Sequence, residues 1–260
     1  LTPVLAEPYD GCSCHQWQTE EGGSSVLYTQ AQFEQLFEKI DMQAEQAIGP
    51  DRDIFGFDYS WCQNPDQRAL INDLLGIEAI SMDNSIDDGC SWKFKPYPLS
   101  TFGKLLDIAV NDMDSMDRQI PDEHQYIRLL EIGCGVGPKL VVANKIFGLN
   151  VRGFDHNEEY CDAAIQLLKA KKCSSWLVQK LDAFEQEAVA LYSQSDIIYL
   201  NRPFVHLEMQ AALERQVFAE MQSGAYIILA NYAADIDAMN EAYGWRKLAV
   251  DKVAVVLQKP

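Results

Sequence analysis

The chain has 260 residues, with 21 Lys and Arg against 39 Asp and Glu and a formal charge of −18, long enough for one large α/β domain with an appendage. No apolar run approaches the roughly 20 residues that span a bilayer, and the start at Leu1-Thr2-Pro3 lacks the basic-then-apolar layout of a secretory signal. Through Tyr126 there are 7 basic and 23 acidic residues (−16), and from Ile127 onward 14 and 16 (−2); such a front repels phosphate backbones, which argues against nucleic acid and suits a cationic acceptor or a basic protein partner.

These features predict a cytoplasmic protein outside the membrane, with the absent initiator Met implying a processed or trimmed end at Leu1. The seven cysteines, Cys12, Cys14, Cys62, Cys90, Cys134, Cys161 and Cys173, are odd in number and contain no CxxC pair. Unpaired thiols are expected rather than a disulfide framework. Cys12-Ser13-Cys14-His15 spaces its sulfurs too tightly for a zinc knuckle, so no metal is expected.

In chain order, residues 1–27 are rich in Gly, Ser, Pro and acids without a period, and read as an extended arm. Phe33, Leu36, Phe37, Ile40, Ala44 and Ala47 form the stripe of an amphipathic helix over 31–48, stopped by Gly49-Pro50. Phe55, Phe57, Tyr59 and Trp61 alternate along 55–61 and share one face of an extended segment. That face either packs into the core or forms an aromatic wall that holds a cation beside Asp53 and Asp58. A short helix is expected over 65–75, closed by Gly76. After an acidic loop over 83–89, Ser100 is placed to cap a helix over 101–116.

The apolar run from Ile127 meets Glu131, then Gly133, Gly135 and Gly137, then Pro138 and an apolar-periodic segment to Phe147. This spacing predicts strand, tight turn, helix. Glycine permits positive φ and close backbone approach by a ligand, and the helix start offers N–H groups. A dinucleotide turn, G-x-G-x-x-G/A, needs a small residue where Pro138 stands. The order Glu131-x-Gly133-Cys134-Gly135-x-Gly137 instead resembles the nucleotide-binding loop of the class I S-adenosylmethionine-dependent methyltransferases.

A second strand over 150–155 ends in Asp155, 18 residues beyond Gly137. In a βαβ unit this brings its carboxylate beside the first strand, where ribose hydroxyls donate. His156 follows and is a candidate for the adenine edge or an exposed helix start. Helix 158–171 carries Tyr160, Ala163, Ala164, Leu167 and Leu168 on its apolar stripe. A third strand, 176–181, ends in Asp182-Ala183-Phe184, which resembles the family's adenine-contacting segment. The fourth strand, 196–201, ends in Asn201-Arg202-Pro203-Phe204. That segment is similar to the Asn/Asp-Pro-Pro-Tyr/Phe loop of the amino methyltransferases, with Arg202 in place of the first proline.

The resemblance implies a doubly wound, mostly parallel seven-stranded sheet whose last strand is antiparallel. It spans about 97–260, preceded by a mainly helical extension over 1–96 that caps the substrate side. Helix 207–221, strand 225–231, helix 235–243 and a hairpin of 244–250 with 253–258 complete it. S-adenosylmethionine is the implied cofactor, with Glu131, Gly133, Cys134, Gly135, Gly137, Asp155, His156, Asp182, Ala183, Phe184 and Asn201 around it. Tyr97, Arg202 and Phe204 are the implied substrate contacts, with Phe102 a second aromatic near the cofactor's methionine end. Asn201, Tyr199 and His206 are the catalytic candidates. The implied activity is methyl transfer to a small molecule or to a protein or peptide side chain, an amine or amide nitrogen being the acceptor suggested by Asn201. The alternative is a non-catalytic cofactor-binding regulatory or partner subunit. Oligomeric state leaves no trace in the sequence.

Overall fold

The computed structural model describes residues 64–83, 99–115, 126–250 and 254–260. The expected arm, the helix over 31–48, the aromatic segment 55–61, Tyr97 and the four cysteines before residue 100 lie outside these residues. Two helices, α1 (Pro65–Asp83) and α2 (Leu99–Ser115), precede the sheet. The chain then alternates β1 (Arg128–Ile132), α3 (Pro138–Phe147), β2 (Asn150–Asp155), α4 (Glu158–Ala170), β3 (Trp176–Lys180), α5 (Gln186–Ser193), β4 (Ile197–Asn201), α6 (Leu207–Glu220), β5 (Tyr226–Ala230), α7 (Ile236–Tyr243), β6 (Arg246–Val250) and β7 (Ala254–Gln258).

The strands form one sheet in the order β3-β2-β1-β4-β5-β7-β6. β1 to β5 pair in parallel, and β7 lies antiparallel between β5 and β6. This is the doubly wound sheet with an antiparallel last strand expected from the sequence. Because both faces are covered, the central strands are continuously apolar and period two decides only which face each residue enters. Leu129, Ile197, Tyr199, Tyr226 and Ile228 face the core shared with α1 to α4. Leu130, Ile198, Leu200, Ile227 and Leu229 face the core shared with α5 to α7.

Four boundaries differ from expectation. α1 does not close at Gly76 but runs on to Asp83. A glycine inside a helix costs about 1 kcal/mol, and burying the Ile77 side chain just beyond it, at roughly 1.5–3 kcal/mol, outweighs that cost, while Ile71, Leu74 and Leu75 anchor the preceding turns. These residues join the same core as the sheet. Ser100 lies inside α2, which starts at Leu99, rather than capping it. α5 was not anticipated at all. Gly244 does not open β6; it is the left-handed C-cap of α7, its N–H donating to the Asn240 carbonyl, a backbone conformation that favours glycine.

Candidate functional site

Parallel strands present their C-terminal tips at one edge, and a strand order that departs from β1 in two directions opens a crevice there. The turn leaving β1 is held by backbone bonds: Gly133 and Cys134 both donate N–H to the Phe154 carbonyl, at 3.0 and 2.9 Å, and Gly137 N–H to the Cys134 carbonyl at 3.0 Å. Gly133, Gly135 and Gly137 all take left-handed φ, +70°, +52° and +81°. Pro138 then occupies the first turn of α3, where its missing N–H costs nothing.

Asp155, at the tip of β2, is 7% exposed. Its Oδ2 accepts from Gly135 N–H at 3.0 Å and its Oδ1 from Asn157 N–H at 2.9 Å. His156 Nδ1 stands 3.3 Å from Oδ1, with the imidazole half exposed. The acid thus braces the middle glycine of the turn, a contact that sequence spacing did not disclose. Cys134 is buried; desolvation, reinforced by the Asp155 and Glu131 charges, pushes its thiol well above its ordinary value. It packs in the turn as a neutral group.

Beyond β3, Asp182 Oδ1 accepts from Phe184 N–H at 2.8 Å, shaping a tight turn. Ala183 is buried, its carbonyl accepting from Tyr192 Oη at 2.6 Å. Phe184 is 40% exposed and stacks on Phe204, centroids 5.8 Å apart and planes within 18°. The strands bearing these two loops are three strand spacings apart, roughly 14 Å, so the aromatic pair bridges the crevice from the third strand's tip to the fourth's. Pro203 closes on the β1 turn: a Cβ added to Gly133 would lie 3.3 Å from Pro203 Cβ.

Asn201 Oδ1 accepts from Asn231 Nδ2 at 2.9 Å, an amide pair across the tips of β4 and β5. Arg202 and Asn231 hold positive φ, +30° and +53°, conformations that favour asparagine over most non-glycine residues. Arg202 donates to the Val205 carbonyl at 3.4 Å. Asn231 carried no sequence signal beyond its place at a strand end.

Tyr199 is 1% exposed and its ring lies edge-on to Phe102, centroids 4.8 Å apart. Both sit in the core on the α2 and α3 side rather than in the open crevice. Glu131 is also buried there, 3.8 Å from Lys139 Nζ of α3; Lys139 was not singled out in the sequence. His206 is exposed at the start of α6, its side chain making no cap bond. Farther along that edge, Leu207, Glu208, Ala211, Arg215, Tyr232 and Ala233 line an open groove of about 650 Å³. Among the described residues no three His, Cys, Asp or Glu side chains form a metal-binding group, and no helix is long and apolar enough to cross a membrane.

No protein-family model matches the chain, and no curated protein matches it. Solved structures do. An RNA methyltransferase from Salinibacter ruber, crystallised with S-adenosyl-L-homocysteine, is 16% identical over 64% of this chain and 92% of its own, with a TM-score of 0.46. TrmN from Thermus thermophilus is 18% identical over 63% of this chain and 49% of its own, TM-score 0.45. The T. thermophilus 16S rRNA N2 G1207 methyltransferase, in complex with AdoMet and guanosine, is 19% identical over 64% of this chain and 43% of its own, TM-score 0.45. This chain therefore spans less than half the length of the two Thermus proteins. At identities this low, the residues of the site carry the functional argument.

Proposed function

We propose that the chain is an S-adenosylmethionine-dependent methyltransferase whose cofactor lies across the tips of β1, β2 and β3. The acceptor is a small molecule or a protein or peptide side chain, through an amine or amide nitrogen. The observation that carries this reading is the left-handed Gly133-Gly135-Gly137 turn braced from the tip of β2 by Asp155.

The residues fit an adenosyl ligand. A turn of left-handed glycines lets a ligand approach main chain without meeting Cβ atoms. A carboxylate has about four acceptor sites, so Asp155 with two N–H bonds retains capacity for sugar hydroxyls. Half-exposed Phe184, steadied by Phe204, offers a flat apolar wall for a base. When bound, the cofactor supplies a methyl group already activated on a sulfonium. The work left to the chain is to orient the acceptor and exclude water, a contribution on the order of 7–11 kcal/mol for well-aligned groups. The Asn231 bond fixes the Asn201 amide, setting it to orient an acceptor N–H. The charge of −18 favours a cationic acceptor over a polyphosphate.

Titration with S-adenosylhomocysteine and NADH tests the reading: the first is expected to bind, and tight NADH binding without it would overturn the choice of cofactor. Asp155→Ala is expected to weaken S-adenosylhomocysteine more than tenfold with the circular dichroism of the fold retained; unchanged affinity removes Asp155 from the ribose role. Transfer from labelled cofactor is then screened over amines, peptides and RNA. Cofactor binding with no acceptor in any class would favour a non-catalytic partner subunit.

A further inference from the structure

The open groove of about 650 Å³ beside α6 has two walls. One is a single stripe of that helix, where Leu207, Ala211 and Arg215 fall one turn apart and Glu208 lies beside them, four residues being the spacing that puts side chains on one face. The other is Tyr232 and Ala233, in the segment that leaves β5. The facing walls are tied together, because Glu214 of α6 accepts from Ala233 N–H at 2.8 Å. They also start beside the amide pair at the strand tips: Tyr232 follows Asn231, whose Nδ2 donates to Asn201 Oδ1 at 2.9 Å. Tyr232 and Phe204 pack against the same core. Leu207 is 59% exposed, a large apolar side chain left uncovered on the helical wall. Glu208 and Arg215 are exposed as well, and among the described residues neither has an ion-pair partner.

A small-molecule pocket encloses most of its ligand's surface, whereas an open groove covers one side of its occupant. It suits an extended chain that adds contacts residue by residue. Glu208 and Arg215 stand about two turns apart, roughly 10 Å along the helix, a span that an extended chain crosses in about three residues. We propose that this groove holds an acceptor peptide in extended form, with a basic side chain facing Glu208, an apolar one against Leu207 and Tyr232, and an acidic one facing Arg215 about three residues from the basic one. This rests on the reading of the chain as a methyltransferase and deepens it, choosing a peptide over a small molecule as acceptor. Exposed ion pairs add little affinity, so the two charges set register and partner choice while the apolar contact holds the chain. A phosphate backbone is the poorer occupant, since Glu208 and the overall charge of −18 repel it.

The test uses the full chain and a library of fluorescein-labelled decapeptides centred on lysine, glutamine or asparagine, read by anisotropy for binding and, with labelled S-adenosylmethionine, by methyl transfer. Peptides carrying a basic and an acidic residue about three positions apart are expected to bind about tenfold more tightly than peptides of the same composition with that pair scrambled. Arg215→Glu is expected to reverse the choice at the acidic position in favour of a basic residue, and Glu208→Gln to remove the choice at the basic position. Circular dichroism checks that both variants keep the fold, and reversal of a preference, unlike its loss, is a change that mere unfolding does not produce. A parent that binds no peptide overturns the proposal, as do preferences that survive both substitutions. Transfer to small amines or to RNA with none to any peptide overturns it too, and leaves the methyltransferase reading standing. Charge-selective peptide binding that Arg215→Glu reverses, in a parent that transfers no methyl group, supports the groove as a peptide site and sinks the methyl-transfer reading instead.

Discussion

Gly137 is glycine for two reasons that have nothing to do with a ligand. Its φ is +81°, and a Cβ would stand 2.9 Å from Ala164 Cβ and 3.3 Å from Ala164 Cα in α4, atoms that cannot swing aside. Gly137→Ala is therefore expected to destabilise the fold by about 1–3 kcal/mol, from left-handed strain plus overpacking. Urea denaturation measures it, and a loss below about 0.5 kcal/mol would show that α4 yields. Gly153 answers to packing alone: a Cβ there would meet Leu140 Cδ1 at 2.7 Å and Cys134 Cβ at 2.8 Å. The sequence pattern treats the turn glycines as one ligand-facing set. The structure divides their duties, Gly137 giving α4 room and Gly135 donating to Asp155. The place of Asp155 was legible because strand, helix and strand lengths fix where a second tip falls. Its hydrogen-bond partner was not, because spacing brings groups near without saying which lone pair meets which N–H.

Helix α6 fixes the loops that leave β4 and β5. Gln210 and Glu214, one turn apart, are 0% and 1% exposed. Both Glu214 oxygens accept from Ala233 N–H, at 2.8 and 3.1 Å, and Oε1 also accepts from Gln210 Nε2 at 2.7 Å. Gln210 Oε1 in turn accepts from Phe204 N–H at 3.4 Å. The chains leaving β4 and β5 are thus tied to one helix face. Glu214→Ala would leave the part-buried Ala233 N–H without this acceptor, a loss of about 1 kcal/mol. The amide of Ala233 is expected to exchange with deuterium at least tenfold faster in that variant, and unchanged protection would mean the loop is held by other contacts. The sequence located a helix over 207–221 but assigned it no inward face; Leu213 and Val217 are buried there, and an apolar period passes over the polar residues buried beside them. α5 was missed although Ala188, Leu191 and Tyr192 have helical spacing. Eight residues give only two turns of period, and no side chain caps its start. Gly76 misled in the opposite direction, a local stop signal overridden by the tertiary burial of its neighbours.

The core on the α1–α4 side buries Cys134 and Cys161 and partly buries Cys173, and this gives the whole molecule a predictable response to alkali. Burial pushes Cys161 up to about 11 and Cys173 up to about 11 from an ordinary 9.0, and Cys134 well above it. Between the ordinary and the raised values the folded chain keeps protons that the unfolded chain has lost. The native state then binds more protons, so stability falls as pH rises. The thiol contribution is fully present below pH 9.0 and disappears as pH climbs through about 11. Urea midpoints in reducing buffer at pH 8, 9.5 and 10.5 are expected to fall in that order. General repulsion in a chain of −18 also grows as lysines lose their protons, so the decline alone does not isolate the thiols. Cys161→Ala/Cys173→Ala keeps the lysines and subtracts two thiols, and its midpoint is expected to fall less steeply over the same range. If parent and double variant decline in parallel, the buried thiols contribute nothing to the alkaline transition and the effect belongs to the surface charge.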